Sequence, residues 1–176
     1  MLLECENIKL RAPEPEDLEA LYEWENDTAL WAVGCTLIPY SRYDLKRYVS
    51  SPKDLYESKQ LRLIITAKPD MEAVGTVDLY DFDPHNRRAA AGIMIDRKHR
   101  EKGLAGDALS LFCRYAFSFL KLHQIYACIP VDNEPSRRLF ARCGFREAGM
   151  LSDWQLTDGG YKDVLLVSLI SDPGDN

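Results

Sequence analysis

The chain of 176 residues is 46% hydrophobic, which is enough apolar material for one folded domain with a buried core. Its formal net charge of −6 argues against a nucleic-acid partner, because backbone binding gains from counterion release at a basic surface. The N-terminal segment contains acidic residues and no sustained apolar run, so we expect neither a signal peptide nor a membrane anchor.

The cysteines predict a reducing compartment. There are five of them, widely spaced and without a Cys-x-x-Cys pair, at Cys5, Cys35, Cys113, Cys128 and Cys143. This spacing is not typical of a zinc site or a redox pair. We therefore expect a cytoplasmic protein without a metal ion and without a membrane partner.

The first half of the chain contains strand patterns and helix patterns in turn. "NIKLRA" alternates like a strand, and "EDLEALYEWEND" has apolar residues at helical spacing. "SRYDLKRYVSS" predicts a second helix capped by Ser41, and the intervening "TALWAVGCTLIPY" is interpreted as a loop. "LRLIITAK", "EAVGTVDLYDFD" and "NRRAAAGIMID" then predict three strands in an antiparallel meander.

The second half predicts a long apolar helix from Gly103 to about Leu120, followed by the buried strand "HQIYACIPV". "EPSRRLFARCG" predicts a short helix with Gly144 as its C-cap. The last two strands form a hairpin about "TDGG". This order predicts an α+β fold in which helices flank both faces of one mixed sheet.

The stretch "IDRKHREKGLAGDALSLFCRYAF" places glycines and basic side chains where the long helix begins. A helix N-terminus has unpaired N–H groups and a partial positive charge, so a bare loop in front of it favours an anion. Gly103, Ala105 and Gly106 keep the backbone bare, while Arg100 and Lys102 add charge. On spacing alone, a glycine-interrupted helix start with solvated basic residues explains the stretch equally well.

Several segments together resemble the GNAT superfamily of acetyl-CoA-dependent N-acetyltransferases. "REKGLAG" matches the family signature R/Q-x-x-G-x-G/A, and "DNEPSRRLFARCGF" resembles its N-x-x-S-x-x-L/Y-x-x-x-G-F segment at the expected spacing. "DPHNRRAAAGIMI" and "DGGYKDVLLVSLI" resemble the branch that holds spermidine N-acetyltransferases and ribosomal-protein N-terminal acetyltransferases. The resemblance covers nearly the whole chain.

The resemblance implies a mixed, mostly antiparallel sheet of about seven strands flanked by about four helices. A single acetyltransferase domain is expected over residues 1–170, with a short tail over residues 171–176. A homo-oligomer is a further expectation that the sequence leaves open.

The same resemblance implies that acetyl-CoA is the cosubstrate. The residues whose backbone amides are expected to hold its pyrophosphate are Arg100, Glu101, Lys102, Gly103, Leu104, Ala105 and Gly106. The strand end at Met94 and Ile95 is expected to pair with the pantetheine arm. Asn133 and Ser136 are expected beside the thioester, with Phe140 facing it, although Asn133 is also a good helix N-cap.

Two catalytic groups of the family are absent from this chain. Many relatives have a tyrosine at the position of Phe140 that protonates the leaving sulfur, and often a glutamate base at the position of Ala90. The nearest candidates for a base are Asp78, Asp81 and His85. His85 is favoured because histidine titrates near neutral pH, but an exposed turn residue is an equally good interpretation. Tyr126 or Tyr161 could replace the acid, although packing explains both.

The acceptor amine is the least defined part of the site. The residues that could bind an ammonium group by charge and by cation–π contact are Glu23, Trp24, Asp27 and Trp31. A solvated helix face explains them as well. We hypothesise acetyl transfer to a primary amine, either of a polyamine-like small molecule or of a protein or peptide N-terminus. The alternative is a catalytically weak acyl-CoA-binding module.

Overall fold

A computed structural model describes residues 2–34, 36–51 and 54–171 of the chain, and the side chains of all of these except residues 32–34. The strands in these ranges are β1 (Ile8–Arg11), β2 (Leu61–Ala67), β3 (Glu72–Asp83), β4 (Arg88–Ile95), β5 (Gln124–Pro130), β6 (Arg146–Thr157) and β7 (Gly160–Ile170). The α-helices are α1 (Leu18–Glu25), α2 (Thr28–Gly34), α3 (Arg42–Ser50), α4 (Leu55–Ser58), α5 (Leu104–Ser118) and α6 (Glu134–Arg142). Short 3-10 helices cover Pro15–Asp17 and Arg97–His99.

The predicted α+β class and the seven strands are confirmed, but the expectation of about four helices was too low, because the described ranges contain six α-helices. The stretch interpreted as a loop contains α2, which begins where Asp27 Oδ1 accepts the N–H of Ala29 at 3.0 Å. Asp54 caps the one-turn helix α4 in the same way. Both helices start from a local cap and are too short to show clear apolar periodicity.

The helix ends predicted from single residues are confirmed. Ser41 Oγ accepts the N–H of Asp44 at 3.0 Å and begins α3. Gly103 is the N-cap of α5, with φ +80. Gly144 follows the end of α6 with φ +90, a left-handed conformation that glycine adopts without the steric cost of a β-carbon.

The seven strands form one sheet in the order β1-β2-β3-β4-β5-β7-β6. Neighbouring strands are antiparallel, except that β4 and β5 are parallel. The predicted meander of β2, β3 and β4 and the hairpin of β6 and β7 are therefore confirmed. Helix α5 connects β4 to β5, as a parallel pair requires a crossover connection.

The parallel strands β4 and β5 pair only at their beginnings. The last pair in register is Ala90 with Tyr126. Beyond it, β4 continues to Ile95 and β5 to Pro130, and the described chain shows no pairing between these two stretches. We call this opening, between residues 91–95 and 127–130, the strand gap. Its two inner edges carry backbone groups that an extended ligand could bind.

The main hydrophobic core lies between one face of the sheet and helices α5 and α6. Ile125 and Ala127 of β5 belong to this core. Because successive side chains of a strand point to opposite faces, Tyr126 and Cys128 point to the other face of the sheet. This alternation decides which side chains lie beside the strand gap on each face.

The chain divides into two compact units, one formed by Met1–Arg11 with Asp54–Asn176 and the other by Ala12–Lys53. The first contains the complete sheet with α4, α5 and α6, and the second contains α1, α2 and α3. The single domain over residues 1–170 stays a prediction. Across the part of the chain that the structure describes, no helix is long and apolar enough to span a membrane.

Candidate active site

The loop that connects β4 to α5 has an unusual backbone conformation. We call residues 100–106 the cradle loop; it lies at the open end of the strand gap because it follows the C-terminal end of β4. Glu101 has φ +64 and Gly103 has φ +80. Left-handed residues in a tight turn can direct neighbouring N–H groups toward one side, which is how backbone anion sites are formed. The conformation of Glu101 costs about 1–3 kcal/mol, which is typical of backbone strain at a functional site.

The start of α5 has N–H groups available to a ligand. Gly106 is the first residue whose N–H reaches the carbonyl of Gly103, at 3.0 Å. The N–H groups before it have no intrahelical partner. A β-carbon at Gly103 or Gly106 would meet no atom within 4 Å, so the space beside both residues is open. These donors and this space fit the pyrophosphate of a nucleotide cofactor.

The cradle loop and the four residues before it are locally basic within an acidic chain. Residues 96–106 contain four basic side chains and two acidic ones, whereas the whole chain has a net charge of −6. Arg100 Nε donates to the carbonyl of Ile95 at 3.0 Å and so fastens the loop to the end of β4. Ile95 is buried and Met94 is half-buried at the edge of the strand gap. The predicted cofactor residues Met94 and Ile95 therefore lie at this edge, and those from Arg100 to Gly106 follow it in the cradle loop.

His99 is a neighbour of the cradle loop that the sequence pattern did not identify. Its Nε2 lies 3.3 Å from Glu72 Oε2, and its Nδ1 lies 3.7 Å from Asp96 Oδ2. Only 12% of its side chain is exposed. In the sequence, His99 is one more polar residue in the basic run "DRKHREK". Glu72 lies at the start of β3, so only the fold brings it to this histidine.

Helix α6 begins at the same end of the strand gap, directly after β5. Asn133 Oδ1 accepts the N–H of Ser136 at 3.2 Å, so Asn133 caps the helix. Phe140 is only 4% exposed, and its ring packs edge-on against Phe145 with centroids 4.8 Å apart. Phe140 therefore contributes to the core. The contacts predicted between Asn133, Ser136 or Phe140 and the cofactor stay predictions.

The three candidate bases lie in different environments. Asp78 Oδ1 accepts from Arg62 Nε at 2.7 Å and Asp78 Oδ2 from Arg62 Nη2 at 3.1 Å, so this carboxylate is tied to a guanidinium. Asp81 is exposed, with φ +50, where the β3–β4 register is interrupted. His85 is exposed in the turn that follows. Within the described residues, no group of three or more His, Cys, Asp or Glu side chains is arranged to hold a metal ion.

Asp83, which the sequence did not single out, organises this turn. Its carboxylate accepts from the backbone N–H of Asn86 at 3.0 Å and from Asn86 Nδ2 at 2.7 Å. Arg88 Nη2 lies 3.3 Å from Asp83 Oδ2. The hydrogen bonds from Asn86, helped by Arg88, lower the pKa of Asp83. This carboxylate therefore stays ionised and is already occupied by partners of the turn.

Two tyrosines flank the position of the missing glutamate. The registers pair Tyr80 with Ala90 and Ala90 with Tyr126. Burial raises the pKa of Tyr126, with smaller contributions from the charges of Asp81 and Cys128. Tyr161, the other acid considered, is 63% exposed on β7. Of the two acids considered from the sequence, Tyr126 therefore lies at the closed end of the strand gap, whereas Tyr161 is exposed.

The predicted acceptor residues all lie in the helical unit. Trp24 is only 9% exposed and belongs to the interior. Trp31 Nε1 donates to the carbonyl of Glu25 at 2.8 Å, and Asp27 caps α2. Glu23 is exposed on α1. Packing and capping thus account for three of the four residues, and their contacts with an acceptor stay a prediction.

Comparison with known proteins identifies the family. The model of the acetyltransferase (GNAT) domain matches residues 7–146. This chain belongs to the GNAT acetyltransferase family. An uncharacterized N-acetyltransferase, p20 of Bacillus licheniformis, is 29% identical over 170 residues, which cover 96% of this chain and 95% of the relative. The predicted family and the N-acetyltransferase class are confirmed.

Relatives of both predicted kinds are found. The putative ribosomal N-acetyltransferase YdaF of Bacillus subtilis (strain 168) is 33% identical over 101 residues, which cover 57% of this chain and 55% of the relative. The crystal structure of spermidine N-acetyltransferase from Vibrio cholerae in complex with CoA and spermine superposes with a TM-score of 0.83 at 26% identity, covering 93% of this chain and 95% of that chain. The GNAT fold is thereby confirmed.

Proposed function

We propose that this protein transfers the acetyl group of acetyl-CoA to a primary amine by direct attack in a ternary complex. The observation that carries the proposal is the position of the cradle loop at the open end of the strand gap. The cradle loop offers N–H donors to a pyrophosphate, and the strand gap offers strand edges to the extended pantetheine arm. In this proposal, residues 100–106 hold the pyrophosphate and the gap holds the pantetheine arm.

The length of the strand gap supports this arrangement. At about 3.3 Å per residue, the edge of β4 from Ile95 back to Ala90 is about 16 Å long. An extended pantetheine arm that starts at the cradle loop spans a comparable length. Its thioester would therefore lie near Ala90 and Tyr126, where the two strands meet. Asn133 and Ser136 would border the arm from the start of α6.

The reaction requires a deprotonated amine next to the thioester. The amine nitrogen forms a bond to the carbonyl carbon, the bond from carbon to sulfur breaks, and the nitrogen loses one proton. We propose that His85, or a water held by His85 and Asp81, accepts this proton. The ion pair with Arg62 leaves Asp78 as the weaker candidate. Positioning supplies much of the remaining rate, because oriented groups react at high effective concentrations.

The proposed acceptor is a polyamine-like small molecule or the N-terminus of a protein or peptide. The named activities of the Vibrio cholerae and Bacillus subtilis relatives support these two classes. Glu23 and Asp27 are proposed to attract the ammonium form of the acceptor, beside Trp24 and Trp31. The proposed location is the cytoplasm, in agreement with four free cysteines among the described residues. Cys35 lies outside those residues.

A screen of acceptors tests the proposal. CoA thiol release from acetyl-CoA is measured with polyamines, amino acids, aminoglycosides and N-terminal peptides, and the acetylated product is confirmed by mass spectrometry. Thiol release matched by an amide product with one class supports an N-acetyltransferase for that class. Tight CoA binding without turnover in any class contradicts the proposal and favours the acyl-CoA-binding module.

A further inference from the structure

Tyr80, Ala90 and Tyr126 form a row across three neighbouring strands. They are paired in register, Tyr80 with Ala90 and Ala90 with Tyr126, so their side chains lie on the same face of the sheet. Ile125 and Ala127, the neighbours of Tyr126 along β5, belong to the core with α5. The row therefore lies on the opposite face, where the small side chain of Ala90 separates the two phenols.

Tyr126 occupies the point where the strand gap closes. Its pairing with Ala90 is the last between β4 and β5. A ligand arm lying in the gap ends at this pair, because beyond it the strand edges are hydrogen-bonded to each other. The ring of Tyr80 lies farther along β4, toward the open end of the gap, since its Cε1 would lie 3.5 Å from a β-carbon at Gly92. Tyr126 is thus the phenol at the inner end of the gap.

The surroundings of Tyr126 favour its protonated form. The side chain is half-buried, and burial is the main cause of its raised pKa. Asp81, Cys128 and Asp83 act in the same direction, while Arg88 opposes them. An ordinary tyrosine, with a pKa of about 10, is already protonated at neutral pH, and burial moves the pKa of this phenol further in the same direction. Such a group can donate a proton but cannot accept one.

We propose that Tyr126 is the proton donor to the departing CoA thiolate, a role that rests on the acetyl transfer proposed above. When the bond from the amine nitrogen to the carbonyl carbon has formed, the bond from carbon to sulfur breaks and its electron pair stays on sulfur. The phenol proton of Tyr126 passes to this sulfur and gives the CoA thiol. The proton lost by the amine leaves through the base, and the phenolate regains one proton from water. Charge and atoms therefore balance over one turnover.

This assignment explains how the chain functions without a tyrosine at Phe140. Phe140 is buried and packs against Phe145, so that position serves the core. Tyr126 approaches the inner end of the gap from β5 rather than from α6. The donor is thus supplied by a different element of the fold.

The test compares three variants that each remove one hydroxyl group: Tyr126→Phe, Tyr80→Phe and Tyr161→Phe. General acid catalysis contributes about 10²- to 10⁴-fold, so Tyr126→Phe should lower kcat by about 10²-fold or more. The dissociation constant for CoA and the KM for acetyl-CoA should change by less than about twofold, because the ring and its packing stay. Tyr161→Phe, on an exposed part of β7, should retain the native kcat.

Three outcomes contradict the assignment. A native kcat in a folded Tyr126→Phe protein excludes the phenol as donor. A loss of kcat that is matched by a loss of CoA affinity or of the thermal midpoint shows a structural role instead. A large loss in Tyr80→Phe with none in Tyr126→Phe assigns the donor to the other phenol. If the native protein transfers acetyl groups, these results concern Tyr126 alone; if it transfers none, the proposed function and the role of Tyr126 both fail.

Discussion

The two ends of β4 differ in how their polar groups are used. At the C-terminal end, the cradle loop exposes backbone N–H groups to open space beside Gly103 and Gly106. At the N-terminal end, polar groups of the turn before Arg88 bind one another. Asp83 accepts hydrogen bonds from Asn86 and forms an ion pair with Arg88. The first end is built to receive an anion. At the second end the polar groups of the turn bind one another, and the neighbouring Asp81 and His85 are exposed.

In the proposed function, this difference means that cofactor binding and catalysis depend on different parts of the chain. The proposed binding at the cradle loop uses main-chain donors, which any short side chain permits. The proposed catalytic groups are particular side chains, Asp81 of β3, His85 of the turn and Tyr126 of β5, whose proximity depends on strand register. Variants at the turn should therefore change turnover, whereas variants at the cradle loop should change affinity.

The largest expected effect is on turnover, from loss of the base. We predict that Asp81→Asn or His85→Ala lowers the plateau of the pH profile of kcat/KM by about 10²- to 10⁴-fold, the usual contribution of a general base. The dissociation constant for CoA, measured by calorimetry, should equal that of the native protein. Asp158→Asn and His123→Ala change the same residue types at other exposed positions and serve as controls. Native profiles in both test variants would show that neither residue takes the proton.

The next effect is on affinity. Gly106→Val should raise the dissociation constant for CoA by about 10²-fold, because it blocks charge-assisted hydrogen bonds worth about 1.5–3 kcal/mol each. Gly106 is the better probe than Gly103, whose φ of +80 would strain any side chain. Gly149→Val, in β6 and also without a neighbouring atom within 4 Å, is the matched control. Native CoA affinity in a folded Gly106→Val protein would rule out this binding site.

A smaller effect on the affinity for CoA is expected from loss of the contact between His99 and Glu72, which lies next to the cradle loop. His99→Ala removes the contact to Glu72 at 3.3 Å, a hydrogen bond worth about 0.5–1.5 kcal/mol. We predict that CoA affinity falls by about three- to tenfold while the kcat at saturating acetyl-CoA stays native. Glu72→Gln should also lower the affinity for CoA, but by a smaller factor. A loss of kcat with native affinity for CoA would instead place His99 in catalysis. The C-terminal end of β4 would then serve more than cofactor binding.

The smallest effect is on stability, at the turn. The pKa of Asp83 is lowered in the folded state, so its ionised form stabilises the fold at pH values above the unfolded pKa, and this contribution is lost as the pH falls through the folded value. Asp83→Asn should therefore lower the thermal midpoint at pH 7 and pH 5. The difference from the native protein should shrink as the pH falls below about 4. A difference that is independent of pH would show that ionisation of Asp83 is not involved.

Much of the fold and of the cofactor site was predictable because the signals are local. Ser41 and Gly144 mark helix ends through bonds or backbone conformations within a few residues. The cradle loop is a contiguous run whose proposed binding groups belong to the backbone, so a short motif, together with the family resemblance, was enough to predict it. The helices α2 and α4 were missed, since one capping carboxylate each is a weaker signal than a long apolar pattern.

The tertiary structure alone decided which side chains meet. Ala90 lies between Tyr80 and Tyr126 only because β3 and β5 flank β4 in this register. His99 meets Glu72 for the same kind of reason, since the two are far apart in the chain. A sequence pattern shows which residues share a face of one strand, but it does not show which strands are neighbours or where a pair separates. The sequence could therefore predict the backbone features of the cradle loop and name candidate proton-transfer side chains, while only the sheet showed which of these side chains are neighbours.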